Sequence, residues 1–197
     1  MDSNRGGAHR QAMIRTTLFA AAAALLLAPA FTAPATAALR TGTQVPALRT
    51  QGALAGRTFT FDLQQALRRG PVVLYFFPKA FTQGCTLEAH AFAEAMGDFR
   101  AAGAQVVGLS SDDLPTLRRF STEECRDAFP VAIASPATIR AFDVALQREG
   151  QATGVSDRTS YVIGRDGRVV MVHSDLDWRE HVRRTLAAVQ ALDRRPR

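Results

Sequence analysis

Val72-Val73-Leu74-Tyr75-Phe76-Phe77 is apolar without a polar interruption, the pattern of a strand buried on both faces of a sheet. Pro78 closes the run, because proline has no N–H to give to a ladder. Beyond it the period becomes helical. Leu87, Ala91, Phe92, Ala95 and Phe99 share one face, with Glu88, Glu94 and Asp98 mostly off it. Thr82 is placed as the N-cap, which puts Cys85 in the first turn of a helix running to about Arg100, before Gly103. Gln105 to Ser110 is a second buried strand. Asp113 then caps a helix with Pro115 in its first turn and Leu114, Leu117 and Phe120 on its apolar face, running toward Cys125.

The flanking segments complete the alternation. Upstream, Leu54 to Arg57 reads as a turn into the alternating strand Thr58 to Phe61. Asp62 caps a short helix through Leu67 that ends at Gly70, and the stretch around Val45-Pro46 reads as a surface strand or loop. Downstream come a strand-like run from Phe129 to Ala134 and a helical stretch from Thr138 to Ala145. Thr159–Ile163 and Val169–Val172 flank Gly164-Arg165-Asp166-Gly167, a hairpin signal. Trp178 to Leu192 is a closing helix with Val182, Leu186, Val189 and Leu192 turned inward and Trp178 docking it. Strands alternating with helices, followed by a hairpin and a helix, predict a three-layer α/β domain.

Composition changes the picture mainly at the N-terminus. Arg5, Arg10 and Arg15 precede the short apolar run Leu18 to Leu27, and Ala35-Thr36-Ala37 offers a small-x-small cleavage site. These are the three parts of a secretory signal peptide, whether translation starts at Met1 or Met13. A retained anchor or a buried N-terminal helix is the competing reading. The expectation is therefore a signal peptide over 1–37 and one domain over 38–197, exported to a bacterial periplasm and free of the membrane after cleavage. The chain is 47% hydrophobic, enough for one core, and carries a net charge of +6. Lys79 is its one lysine, and the arginines are scattered without an aromatic-interleaved stripe, which argues against a nucleic-acid partner.

The chemistry centres on Cys85. First-turn N–H groups lack intrahelical partners and the helix dipole is positive there, a setting that favours thiolate over thiol. Thr82, three residues earlier, can bring its hydroxyl to the sulfur, and Pro78 can wall the pocket. The bland alternative is a buried, inert cysteine. Cys125 is the second cysteine, and in an oxidising compartment two cysteines read either as a structural disulfide or as a catalytic pair. Neither has a histidine at ligand spacing, so no zinc pattern arises, and His173 and His181 stand apart in sequence.

Phe76-Phe77-Pro78-Lys79-Ala80-Phe81-Thr82-Gln83-Gly84-Cys85-Thr86-Leu87-Glu88 resembles the active-site signature of peroxiredoxins, and its Thr-x-Gly-Cys-Thr-x-Glu form resembles the peroxiredoxin Q, or bacterioferritin comigratory protein, branch. The resemblance covers roughly residues 42 to 190. It implies a thioredoxin-like α/β/α fold with an N-terminal extension and a thiol-dependent peroxidase needing neither cofactor nor metal. Cys85 would attack hydrogen peroxide or a small organic hydroperoxide, with Pro78 and Thr82 around it. Arg158, just before a strand, matches the active-site arginine, although on residues alone it reads as a surface arginine. Glu88 would hold that arginine. Many branch members have a resolving cysteine five residues after the reactive one. Here that position is His90, read as a helix-surface residue, and Cys125 takes the resolving role by resemblance to members that carry it on the third helix. A thioredoxin-like dithiol would recycle the disulfide, and the chain would act as a monomer. Two rivals remain open: a thioredoxin-type thiol–disulfide oxidoreductase, although Thr82 stands where its second cysteine would be, and a non-enzymatic domain with a structural Cys85–Cys125 disulfide.

Overall fold

The computed structural model describes residues 38–194; the expected signal segment lies outside them. The element order is β1 (Arg49–Leu54), β2 (Arg57–Asp62), α1 (Leu63–Arg69), β3 (Val72–Phe76), α2 (Gln83–Ala101), β4 (Gln105–Ser110), α3 (Leu114–Glu123), β5 (Val131–Ile133), α4 (Pro136–Ala141), β6 (Ala145–Arg148), β7 (Gln151–Ser156), β8 (Thr159–Ile163), β9 (Val169–Ser174) and α5 (Arg179–Asp193). Seven strands form one sheet in the order β2-β1-β5-β4-β3-β8-β9, and β6 and β7 form a separate two-stranded ribbon. β3, β4 and β5 run parallel, and β8 joins β3 antiparallel.

Every residue of β3 is buried, as its unbroken apolar run requires. Alternation along the strand divides the core in two. Val72, Leu74 and Phe76 pack with α1 and α4 on one face. Val73, Tyr75 and Phe77 pack with α2, α3 and α5 on the other, together with both cysteines. This is the three-layer thioredoxin-like α/β fold, a sheet with helices on both sides. Local signals hold where side-chain chemistry enforces them. Asp62 accepts from Gln65 N at 3.0 Å and Asp113 from Thr116 N at 2.9 Å, each satisfying a first-turn donor at a helix start. Among the described residues no helix is long and apolar enough to cross a membrane.

Several expectations change. β1 pairs with both β2 and β5, yet its sequence Arg-Thr-Gln-Gly-Ala-Leu carries little hydrophobic alternation. Its Gly52 is required: a Cβ there would lie 2.6 Å from Val131 O. The helix expected from Thr138 to Ala145 stops at Ala141, with Asp143 left-handed at φ 52°, and Ala145 already belongs to β6. The buried face of α2 is rotated from the expected one. Glu88 is fully buried and Leu87 is 40% exposed. The apolar period runs through Leu87, but the buried positions are Cys85, Glu88, Ala89, Phe92, Met96 and Phe99. α5 shifts likewise, burying His181, Thr185 and Val189. Cys125 lies two residues past the end of α3, in a turn where Arg126 and Asp127 are both left-handed, at φ 51° and 56°.

Candidate active site

The loop between β3 and α2 is tied at each step. Phe77 N donates to Leu109 O at 3.0 Å, and Phe77 O accepts from Ser156 Oγ at 3.0 Å. Ala80 N donates to Asp112 Oδ2 at 2.7 Å, the same oxygen that accepts from Ser110 at 2.6 Å. Half-buried Pro78 sits between these anchors, two residues past the end of β3. Phe81 is left-handed at φ 63°, an uncommon conformation for a bulky residue, held by packing against Phe120 at 5.3 Å. The chain then enters α2 through Thr82, the N-cap. Thr82 is exposed, and its hydroxyl donates to Lys79 O at 2.9 Å and makes no cap bond. The expected reach of this hydroxyl to the sulfur is therefore not made in this state, because Lys79 O holds it.

Cys85 is 1% exposed in the first turn of α2. Arg158 reaches it from just before β8. The pairing of Phe76 with Thr159 and of Tyr75 with Ser160 sets Arg158 and Ser160 on the sheet face that carries Tyr75 and Phe77. All three guanidinium nitrogens are engaged: Nε donates to Leu176 O at 2.9 Å, Nη1 to Glu88 Oε2, and Nη2 to Cys85 Sγ at 3.4 Å. A fork held on three sides leaves the guanidinium no freedom to leave the sulfur. Gly84 makes room for it, since a Cβ there would lie 3.2 Å from Nη2 and 3.9 Å from Trp178 Cδ1. Arg165, by contrast, is exposed in the β8–β9 turn and donates to Arg68 O at 2.9 Å.

Behind Arg158 the site is unusually polar for a core. Burial pushes the Glu88 carboxyl up to about 8 although Arg158 pulls the other way. His181 is fully buried, 2.8 Å from Ser160 Oγ and 3.8 Å from Glu88 Oε1, and burial pushes it down to about 4. The His173 and His181 rings, distant in sequence, stand 4.5 Å apart. Tyr75 lies over Gly108 with its hydroxyl buried and unpartnered. Sequence reasoning missed Ser160, His181 and Tyr75, and it placed Trp178 only as a docking residue. Tyr75 and Ser160 lie within strands whose every residue is buried, but their meeting with His181 on the charged, amphipathic α5 has no sequence signal.

Cys85 and Cys125 are both free and buried in the same core layer, so the structural disulfide is absent from this state. Burial raises the Cys125 thiol well above its usual range, with Glu124 and Asp127 adding to the effect. His90, expected on the helix surface, is instead a bridge: its Nε2 lies 2.8 Å from Glu124 Oε2, beside Cys125. Arg126 reaches Glu94 at 3.3 Å, a second link from this turn to α2. A surface cleft of about 490 Å³, lined by Arg69, Pro71 and Arg165 among others, lies at the opposite end of β3 and contains none of these residues. Among the described residues no group of three or more His, Cys, Asp or Glu is gathered for a metal.

A buried thiol at a helix start, gripped by an arginine that a buried glutamate holds, is the arrangement the signature implied. Residues 28–172 match the model of the AhpC/TSA family. The chain belongs to this family. A peroxiredoxin Bcp of Xanthomonas campestris pv. campestris is 31% identical over 147 residues, covering 67% of this chain and 91% of the relative. The crystal structure of peroxidoxin BcpB from Mycobacterium tuberculosis superposes with a TM-score of 0.69 at 30% identity, over 78% of this chain and 98% of that one. A Xanthomonas campestris bacterioferritin comigratory protein, solved for insight into its alkyl peroxide reduction activity, gives 0.65 at 28% identity, over 73% and 92%. The chain is thus a peroxiredoxin, a thiol-dependent peroxidase and an oxidoreductase, with its relatives in the Bcp and peroxiredoxin Q branch.

Proposed function

We propose that this peroxiredoxin is exported and reduces hydrogen peroxide or small organic hydroperoxides through Cys85, with Cys125 as the resolving thiol. The contact of Arg158 Nη2 with Cys85 Sγ at 3.4 Å carries the reading, because it puts a fixed positive donor where charge develops during attack. The Cys85 thiolate attacks the terminal peroxide oxygen and the O–O bond breaks. Sulfur is oxidised to sulfenic acid, and the departing oxygen takes a proton to leave as water or alcohol. Arg158 donates to that oxygen, Pro78 keeps bulk water from one side, and Thr82 turns from Lys79 O to orient the peroxide. The alkyl peroxide reduction of the Xanthomonas relative supports organic hydroperoxides among the substrates.

Cys125 then attacks the sulfenic sulfur, forming the Cys85–Cys125 disulfide and releasing water, and a thioredoxin-like dithiol reduces it by exchange. A thiol whose burial favours the neutral form does not attack in place, so the turn from Glu124 to Ala128 opens first. The protein acts as a monomer in a bacterial periplasm, the leader over 1–37 having been removed. One equivalent of peroxide added to the reduced protein, followed by proteolysis and mass spectrometry, tests the resolving step. A Cys85–Cys125 peptide from within one chain is expected. Linked peptides from two chains, or Cys85 halted at sulfinic acid with Cys125 free, would make this a one-cysteine enzyme served by an external thiol.

A further inference from the structure

The polar layer behind Arg158 brings two buried proton acceptors close together. Ser160 pairs across the sheet with Tyr75 on β3 and His173 on β9, so three polar side chains stand in a row beneath α2 and α5. His181 comes down onto this row from the first turn of α5. Its Nε2 lies 2.9 Å from the carbonyl oxygen of Asp175, which only accepts, so Nε2 carries a hydrogen. In the neutral ring Nδ1 is then an acceptor, 2.8 Å from Ser160 Oγ and 3.8 Å from Glu88 Oε1. Oε1 is buried and has no hydrogen-bond partner. Two acceptors therefore face each other at 3.8 Å, beyond hydrogen-bond reach but close enough for a charge on one to act on the other. The Ser160 hydroxyl suits either state, because it donates to a neutral Nδ1 and accepts from a charged one.

Charge balance says when the gap fills. With Cys85 as thiol and Glu88 ionised, Arg158 and Glu88 form a neutral buried pair. With Cys85 as thiolate, two anions share one guanidinium, and a net buried charge is costly. We propose that His181 is a positioning residue for the Cys85 thiolate, acting through Glu88: the Glu88–His181 gap takes up one proton when Cys85 ionises and gives it up when the sulfur is oxidised. The proton count closes. Cys85 releases one to solvent and the gap binds one. After attack the cluster holds a neutral sulfenic acid, so the gap proton leaves and matches the one the departing water or alcohol needs.

The surrounding groups act in both directions. Arg158 from the β8 side and His173 on β9 disfavour a positive His181, while Asp175 after β9 favours it. Arg184 and Glu180 lie along α5 and act on His173 with opposite signs.

This inference rests on Cys85 being the attacking thiol, so peroxide consumption by the wild-type protein is measured in parallel. His181→Asn fills the ring position with a side chain that cannot be protonated. The rate of Cys85 alkylation against pH should keep its shape in this variant, with its midpoint moved up by about one pH unit. A purely structural role would lower the unfolding midpoint and leave the alkylation midpoint in place. The second measurement uses the unmutated chain, labelled with 13C at glutamate carboxyls and 15N at histidine rings. The Glu88 carboxyl or the His181 Nδ1 resonance should step toward its protonated position over the pH range in which the thiolate appears, and the step should vanish in Cys85→Ser. Flat resonances, or an alkylation midpoint unchanged or lowered in a folded His181→Asn, overturn the inference while peroxide consumption persists. Absence of consumption in the wild type overturns the parent reading instead.

Discussion

Arg158 is the residue on which the site turns. It bridges a backbone carbonyl, a buried carboxylate and the thiol with one planar group, so lysine cannot replace it. Arg158→Lys keeps the charge opposite Glu88 and should fold. Its oxidation step, followed by stopped-flow fluorescence, should slow by about 100-fold or more, in the range of losing one aimed donor. Arg165→Lys should leave that rate unchanged, and equal effects at both positions would deny Arg158 any special part. Cys85, Thr82, Pro78 and Glu88 were legible as candidates because a short motif fixes their spacing, and Arg158 only through the family resemblance, by its place before a strand. What Thr82 does in this state was not legible, because its hydroxyl answers to Lys79 O, a backbone group that no motif specifies. His181 and Ser160 were hidden for a different reason. They meet only through the pairing of β8 with its neighbours and the seating of α5 on the sheet, and such long-range contacts leave no periodic trace in sequence.

At the scale of elements, β3 and β4 were readable from unbroken apolar runs, and α1 and α3 from their aspartate caps. β1, β6 and β7 were not, since pairing partners and not their own alternation hold them in place. The β3–β4 contact makes a stability prediction. A Cβ at Gly108 would lie 2.8 Å from the Tyr75 hydroxyl, and Tyr75 is packed against Phe92 at 4.4 Å and cannot withdraw easily. Gly108→Ala should destabilise by about 1–3 kcal/mol in urea titration, the usual cost of overpacking; no loss would show that the ring has room to move. A second prediction concerns the two cysteine segments. Left-handed Phe81 precedes Cys85, and left-handed Arg126 and Asp127 follow Cys125. Joining the sulfurs is expected to draw both segments out of these conformations. Oxidation should raise amide hydrogen exchange over residues 82 to 88 and 121 to 127. Exchange confined to one segment would mean that only that cysteine moves.

For the molecule as a whole, two buried groups impose opposite pH slopes on stability. His181 is depressed from 6.5 to about 4, so its contribution is present above pH 6.5 and is lost as pH falls through about 4. Glu88 is raised from 4.5 to about 8, so its contribution is present below pH 4.5 and is lost as pH rises through about 8. The slopes oppose each other below pH 6.5, and only that of Glu88 remains above it. Unfolding free energy from urea titration should therefore decline between pH 6.5 and 8. Glu88→Gln, which mimics the protonated carboxyl, should be flat over that interval, so its stability relative to the wild type should rise with pH. An undiminished decline in the variant would assign the slope to another group. The central claim, that Cys85 attacks peroxide and Cys125 acts only afterwards, is tested most directly by rapid-mixing measurement of peroxide consumption in reduced Cys85→Ser and Cys125→Ser. Cys125→Ser should consume one equivalent in a first fast turnover, and Cys85→Ser should consume none with any reductant. Rapid consumption by Cys85→Ser would contradict the account.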